Sequence, residues 1–159
     1  MRILGVDPGL TTTGFGILEK RGNECLAIDF GGIKLNPQEK FPIRLKKIYA
    51  EICNVIDRFQ PDEFAIEEVF YADNVKVALK MGHARGVAIL AAVNHRLPTF
   101  EYSAREIKQS VVGNGGASKE QVQRMVQQLL NLPTRPEPHD AADALAVALC
   151  HLHRGESRR

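Results

Sequence analysis

Four acidic residues stand where a carboxylate contributes little to a fold. Asp7 closes the apolar run Ile3-Leu-Gly-Val-Asp7 and is followed by Pro8-Gly9. A charge at the end of a buried strand is only partly solvated, although an Asp before Pro-Gly could equally cap the turn. Glu67 ends a second short apolar run, Phe64-Ala-Ile66, and is followed by Glu68. Strand side chains alternate between faces, so only one of these two glutamates can share the face of Asp7. The other belongs in solvent or in an ion pair, and Glu68 is given no role. Asp140 and Asp143 lie three apart in His139-Asp-Ala-Ala-Asp143, on neighbouring turns of one helix face. The plain alternative is a first turn whose acids complement the helix dipole. The small alanines between them allow close approach to a sheet edge, and His139 reads as a cap-region residue, with an outer-shell partner of the acids as the alternative.

Two strand ends and one helix start supplying four carboxylates are what a paired divalent-metal site requires. Hard cations such as Mg²⁺ take oxygen ligands, and two of them ~3.5–4 Å apart clamp the attacking and leaving oxygens of a phosphodiester. Without a cation the same acids would repel one another. Spacing alone thus reaches a metal-dependent phosphoryl-transfer enzyme. Basic residues point the same way: Lys76, Lys80 and His83 recur as a helical stripe, and Lys108, Lys119 and Arg124 surround Gly113-Asn-Gly-Gly116. Such residues hold phosphates without reading sequence, or simply form solvated helix faces. Phe70 and Tyr71 follow the Glu67 strand, where an aromatic can stack on unpaired bases or join the core. Gly82-x-x-x-Gly86 permits close helix packing, within the fold or across a dimer. The Gly-rich loop is no P-loop, because no Gly-Lys-Ser/Thr follows it.

The elements that must position these residues are read from periodicity. Ile3–Asp7, Gly14–Leu18 and Cys25–Leu35 read as three strands of an antiparallel meander. Leu45, Ile48, Ile52, Val55, Ile56 and Phe59 fit an amphipathic helix stopped by Pro61. Phe64–Ile66 and Pro98–Tyr102 read as further strands, separated by a helix over about 75–94. Ser118 opens a helix with a Ser-x-x-Gln capping box, and a last helix runs from about His139 to His151. Three strands followed by alternating helix and strand predict a mixed α/β sheet with helices on both faces. The 159 residues suit one domain, here 1–152, with a basic tail at 153–159 expected to lack structure. Twenty-one Lys plus Arg against 19 Asp plus Glu leave a formal charge of +2, so bulk charge cannot drive nucleic-acid binding. No apolar run approaches the ~20 residues of a membrane span, no secretory signal is visible, and three scattered cysteines fit a reducing cytoplasm.

Five blocks, Ile3-Leu-Gly-Val-Asp-Pro-Gly9, Phe64-Ala-Ile-Glu-Glu-Val-Phe70, Gly86-Val-Ala-Ile-Leu-Ala-Ala-Val93, Lys108-Gln-Ser-Val-Val-Gly113 and Asp140-Ala-Ala-Asp-Ala-Leu145, resemble in order the RuvC family of bacterial Holliday-junction resolvases. The resemblance spans Met1 to about His151. It implies a ribonuclease H-like fold and a homodimer. It also implies Mg²⁺-dependent cleavage of opposed strands at a four-way DNA junction, with symmetric nicks leaving 5′-phosphate and 3′-hydroxyl ends. Carried over, the family's catalytic, metal-binding acids fall on Asp7, Glu67, Asp140 and Asp143, with two Mg²⁺ per site and Mn²⁺ as a possible substitute. Its DNA-contacting residues fall on Phe70, Lys108 and Lys119. The RuvA–RuvB branch-migration complex is the implied cellular partner. Competing readings are a ribonuclease H-like nuclease acting on structured RNA, of the YqgF type, and a non-catalytic junction-binding module. An actin-like ATPase shares the opening motif but needs two such domains.

Overall fold

The structure, a computed structural model, describes residues 1–68 and 74–157. Three antiparallel strands open the chain: β1 (Arg2–Asp7), β2 (Thr12–Arg21) and β3 (Glu24–Lys34). Helix α1 (Phe41–Phe59) leads to β4 (Glu63–Glu67), and α2 (Val75–Asn94) leads to β5 (Thr99–Tyr102). Three helices follow, α3 (Ala104–Val112), α4 (Lys119–Leu129) and α5 (His139–Ser157). The sheet order is β3-β2-β1-β4-β5. β4 pairs parallel to β1 and β5 parallel to β4, so the sheet is the expected meander extended by parallel strands.

The two faces of the sheet carry separate cores. Leu4 and Val6 of β1 and Phe64 and Ile66 of β4 pack beneath α1 and α2, against Ile48, Ile52, Ile56, Ala84 and Ala88. Ile3 of β1 and Ala65 of β4 face the other way, onto Leu145, Ala148 and Leu149 of α5. By the same alternation, Asp7 and Glu67 share the α5 face and Glu68 falls on the opposite one, exposed.

Helix α5 is buried on all sides rather than on one face. From Ala141 to Leu152 every residue but Asp143 is buried. Its outer side is covered by Ile107 and Val111 of α3 and Val122 and Val126 of α4, so the helix is a buried layer between sheet and surface helices. It also continues to Ser157, where the sequence suggests an end near His151 and an unstructured tail from 153. Arg154 pairs with Glu106 at 3.1 Å, and Lys20 pairs with Glu156. α1 likewise starts earlier than expected, at Phe41, with Pro42 in its first turn, where a missing N–H is harmless. α3 is an addition to the expected elements. Its signal is a capping box in which Ser103 accepts from the Glu106 N–H and Glu106 reaches back to the Ser103 N–H.

Contact between α5 and the meander is possible because β1 and β2 present glycine there. A Cβ at Gly5 would lie 2.2 Å from the Ala144 carbonyl oxygen, and one at Gly14 would lie 1.9 Å from that of Asp140. Backbone cannot yield as a side-chain tip can. Gly14→Ala is therefore expected to destabilise the fold by at least about 1–3 kcal/mol in urea unfolding. Gly155→Ala, with nothing within 4 Å of the added carbon, should instead stabilise α5 by roughly 0.5–1 kcal/mol.

Candidate active site

Parallel pairing of β1 with β4 brings Asp7 and Glu67 to the same edge of the sheet. The Val6–Ile66 register, continued by one residue, sets these two opposite each other. α5 starts above that edge, because its close approach at Gly14 fixes Asp140 over β2. Asp7, Glu67 and Asp143 accordingly line one cleft, together with Lys108 from α3, Lys119 from the start of α4, Ile107, Val122 and Ala146. Asp140 stands just behind it, half-buried and close enough to act electrostatically on Asp7, Asp143 and Lys119.

Crowding these acids changes their proton affinity. Asp7 is pushed up to about 8, first by burial and then by the charges of Asp143, Glu67 and Asp140, with Lys119 opposing. Glu67 is raised by burial and by Asp143, an effect that Lys119 and Lys108 counter. Asp143 is raised by burial in spite of Lys119. Lys119 is the counter-ion the cluster has recruited. Its Nζ lies 3.4 Å from Asp143 Oδ2, and attraction to Asp143 holds its own proton more tightly. Among the described residues, no three His, Cys, Asp or Glu side chains already surround one point as metal ligands would. The donor chemistry nevertheless fits a hard divalent cation: carboxylate oxygens only, partly desolvated and mutually repelling.

Other expected residues separate into those at the cleft and those away from it. Lys108 and Lys119 line it, whereas Arg124 turns aside to Glu120 at 2.9 Å. Lys80 sits over the Phe41 ring at 5.5 Å, and His83 meets the same ring edge-on, so part of the α2 stripe packs on α1. His139 begins α5 and its Nδ1 lies 3.2 Å from Nε2 of the buried Gln123. Phe70 and Tyr71 lie outside the described residues. Two residues that contact site elements from outside the cleft were not singled out by sequence: Gln123, and Arg85 of α2, whose Nε donates to the Glu67 carbonyl at 3.1 Å. Gln123 is the core-side polar residue in an apolar helix face, which is the signal it offers.

A carboxyl group whose folded-state proton affinity is raised is less stable ionised in the fold than in the unfolded chain. Its cost sets in above the ordinary carboxylate range and grows until the pH passes about 8, the folded value for Asp7. At pH 8 in EDTA, Asp7→Asn should therefore melt higher than the parent chain, by about 2–4 °C for each 1 kcal/mol relieved. Saturating Mg²⁺ should stabilise the parent more than the variant.

The sequence model of one protein family, crossover junction endodeoxyribonuclease RuvC, matches residues 3–151. The chain is 52% identical over 155 residues to crossover junction endodeoxyribonuclease RuvC of Alkaliphilus oremlandii, covering 98% of this chain and 94% of the relative. It is 54% identical over 151 residues to that of Vibrio cholerae, covering 95% and 86%. Among solved structures, Thermus thermophilus RuvC in complex with a Holliday junction substrate superposes with a TM-score of 0.93 at 34% identity, over 99% of this chain and 96% of that one. The yeast mitochondrial Holliday junction resolvase Ydc2, at 14% identity and a TM-score of 0.69 over 95% of this chain and 77% of that one, shares the fold. The mixed sheet with helices on both faces is thus the ribonuclease H-like arrangement of these resolvases, and the chain belongs to the RuvC family of crossover junction endodeoxyribonucleases.

Proposed function

We propose that this chain is a divalent-metal-dependent endonuclease that resolves four-way DNA junctions by paired, symmetric nicks. The observation that carries this reading is the cleft where Asp7, Glu67 and Asp143 meet Lys108 and Lys119. Asp7, Glu67, Asp140 and Asp143 would hold two Mg²⁺, with Mn²⁺ able to substitute. Bound there, the cations would acidify water and offset the charge that develops on the phosphodiester. Lys108 and Lys119 would hold the scissile strand through its phosphates, and Lys119 must leave Asp143 for that carboxylate to turn toward an ion. Hydrolysis would leave a 5′-phosphate and a 3′-hydroxyl. Phe70, just past the strand that carries Glu67, is proposed to stack at the crossover, so Phe70→Ala should retain metal binding and lose junction cleavage.

Pairing of nicks needs two sites, and α2 supports a homodimer. Leu79, Gly82, Gly86, Leu90 and Val93 recur on one side of α2 and are all exposed, with open space over both glycines. An apolar stripe with small residues at its centre lets a second helix approach closely and suits an isologous twofold contact. The proposed setting is the cytoplasm, with the RuvA–RuvB complex as partner. Among the described residues no helix is long and apolar enough to cross a membrane.

The direct assay incubates a synthetic four-way junction with and without Mg²⁺ and maps both strands. Two symmetric nicks that require Mg²⁺ are expected. Asp7→Asn should bind the junction as well or better while its cleavage falls by more than about a thousandfold. Binding without nicking would favour a junction-binding module, and preference for a folded RNA a YqgF-type nuclease; either overturns the proposal. In sedimentation, Leu90→Glu should shift the protein from dimer to monomer and replace paired nicks by single ones.

A further inference from the structure

Arg85 lies on α2, away from the cleft, yet it is tied to the strand end that carries Glu67. Its Nε donates to the Glu67 main-chain carbonyl at 3.1 Å. Its Nη2 lies 2.7 Å from Glu101 Oε1 of β5, off the line of a hydrogen bond, so that contact is an ion pair. The side chain is only 19% exposed. A buried guanidinium on a backbone carbonyl is a strong, charge-assisted contact, and the register of the sheet explains why this carbonyl needs it.

Alternate residues of β4 bond to opposite neighbours. Glu68 N–H donates to Tyr102 of β5, so the Glu67 carbonyl points the other way, toward β1. Continuing the parallel register of Val6 with Ile66, the next donor on β1 belongs to residue 8. Residue 8 is Pro8, buried and without an N–H. The ladder therefore ends with an acceptor that β1 cannot satisfy, at the residue whose side chain faces Asp7. Arg85 supplies the missing donor from the other face of the sheet.

We propose that Arg85 is a positioning residue: by holding the Glu67 peptide plane it aims the Glu67 carboxylate at Asp7 and the acids of α5, and Glu101 in turn fixes the guanidinium. Arg85 touches neither substrate nor ion. This role rests on the reading of the cleft as a metal-dependent nuclease site. It also ties that site to α2, which carries the exposed stripe on another of its sides.

The test compares two neutral variants of similar length. In Arg85→Gln the side-chain amide nitrogen occupies the chain position of Nε and can still donate. In Arg85→Met a methyl occupies that position and cannot. Both lose the ion pair with Glu101 equally, so any difference between them reports the donor. Mn²⁺ binding to the protein alone, followed by electron paramagnetic resonance, is read beside single-turnover junction cleavage and thermal melting. Arg85→Met should weaken Mn²⁺ binding and slow cleavage by about 10-fold or more, as loss of an outer contact to a ligand does. Arg85→Gln should stay within about threefold of the parent in both, at a melting temperature like that of Arg85→Met. Equal Mn²⁺ affinity in the two variants would overturn the role. Should Arg85→Met not fold, Arg85→Leu replaces it, likewise neutral and without a donor. A parent chain that binds Mn²⁺ but cuts no junction refutes the nuclease reading, while a Met–Gln difference in affinity still upholds the positioning of Glu67.

Discussion

At Gly5 and Gly14 the backbone of β1 and β2 meets α5 so closely that no side-chain carbon fits between them, and that contact sets Asp140 and Asp143 over the strand ends that carry Asp7 and Glu67. A helix held farther off would carry Asp140 and Asp143 away from the strand ends. Ala144 and Ala148 complete the contact with Gly5 from the helix side. The price is burial: α5 becomes a core element, and α3 and α4 are needed to cover it. Those covering helices bring Lys108 and Lys119 to the rim, so the packing that places the acids of α5 also places their counter-charges.

Much of this was legible in the sequence, for a physical reason. Alternation along Ile3–Asp7 and Phe64–Glu67 restricts the face of Asp7 to one of Glu67 and Glu68, and the family resemblance selects Glu67. The meander, the alternation of helix and strand after it and the capping box at Ser118 are equally local signals. What depended on tertiary packing was hidden. Gly14 reads as an ordinary strand residue until Asp140 is seen to lie over it. The all-round burial of α5 depends on α3 and α4, and its continuation to Ser157 rests on the pairs of Arg154 with Glu106 and of Glu156 with Lys20, which the polar run after His153 does not reveal. Arg85 carries no pattern of its own; its partner is a carbonyl that only the register with Pro8 leaves unpaired. The capping box at Ser103 was readable, but α3 is short and its apolar residues are few.

Charge balance takes on a different meaning once the acids are placed. A formal +2 appears small for a protein that meets DNA. Asp7, Glu67, Asp140 and Asp143 are concentrated at one edge, where they act on one another and on Lys119. Divalent cations held there would offset that negative charge where phosphate arrives. In their absence, Lys119 performs part of that neutralisation through Asp143. The cleft is thus held in a compromise among burial, repulsion and one exposed ammonium.

The account centres on that compromise giving way to an ion. The most direct measurement is anomalous scattering from crystals of the protein soaked in saturating Mn²⁺. It should show metal bound among Asp7, Glu67 and the acids at the start of α5, with Lys119 released from Asp143. Crystals that retain the Lys119–Asp143 pair and show no ordered Mn²⁺ at that edge would contradict it.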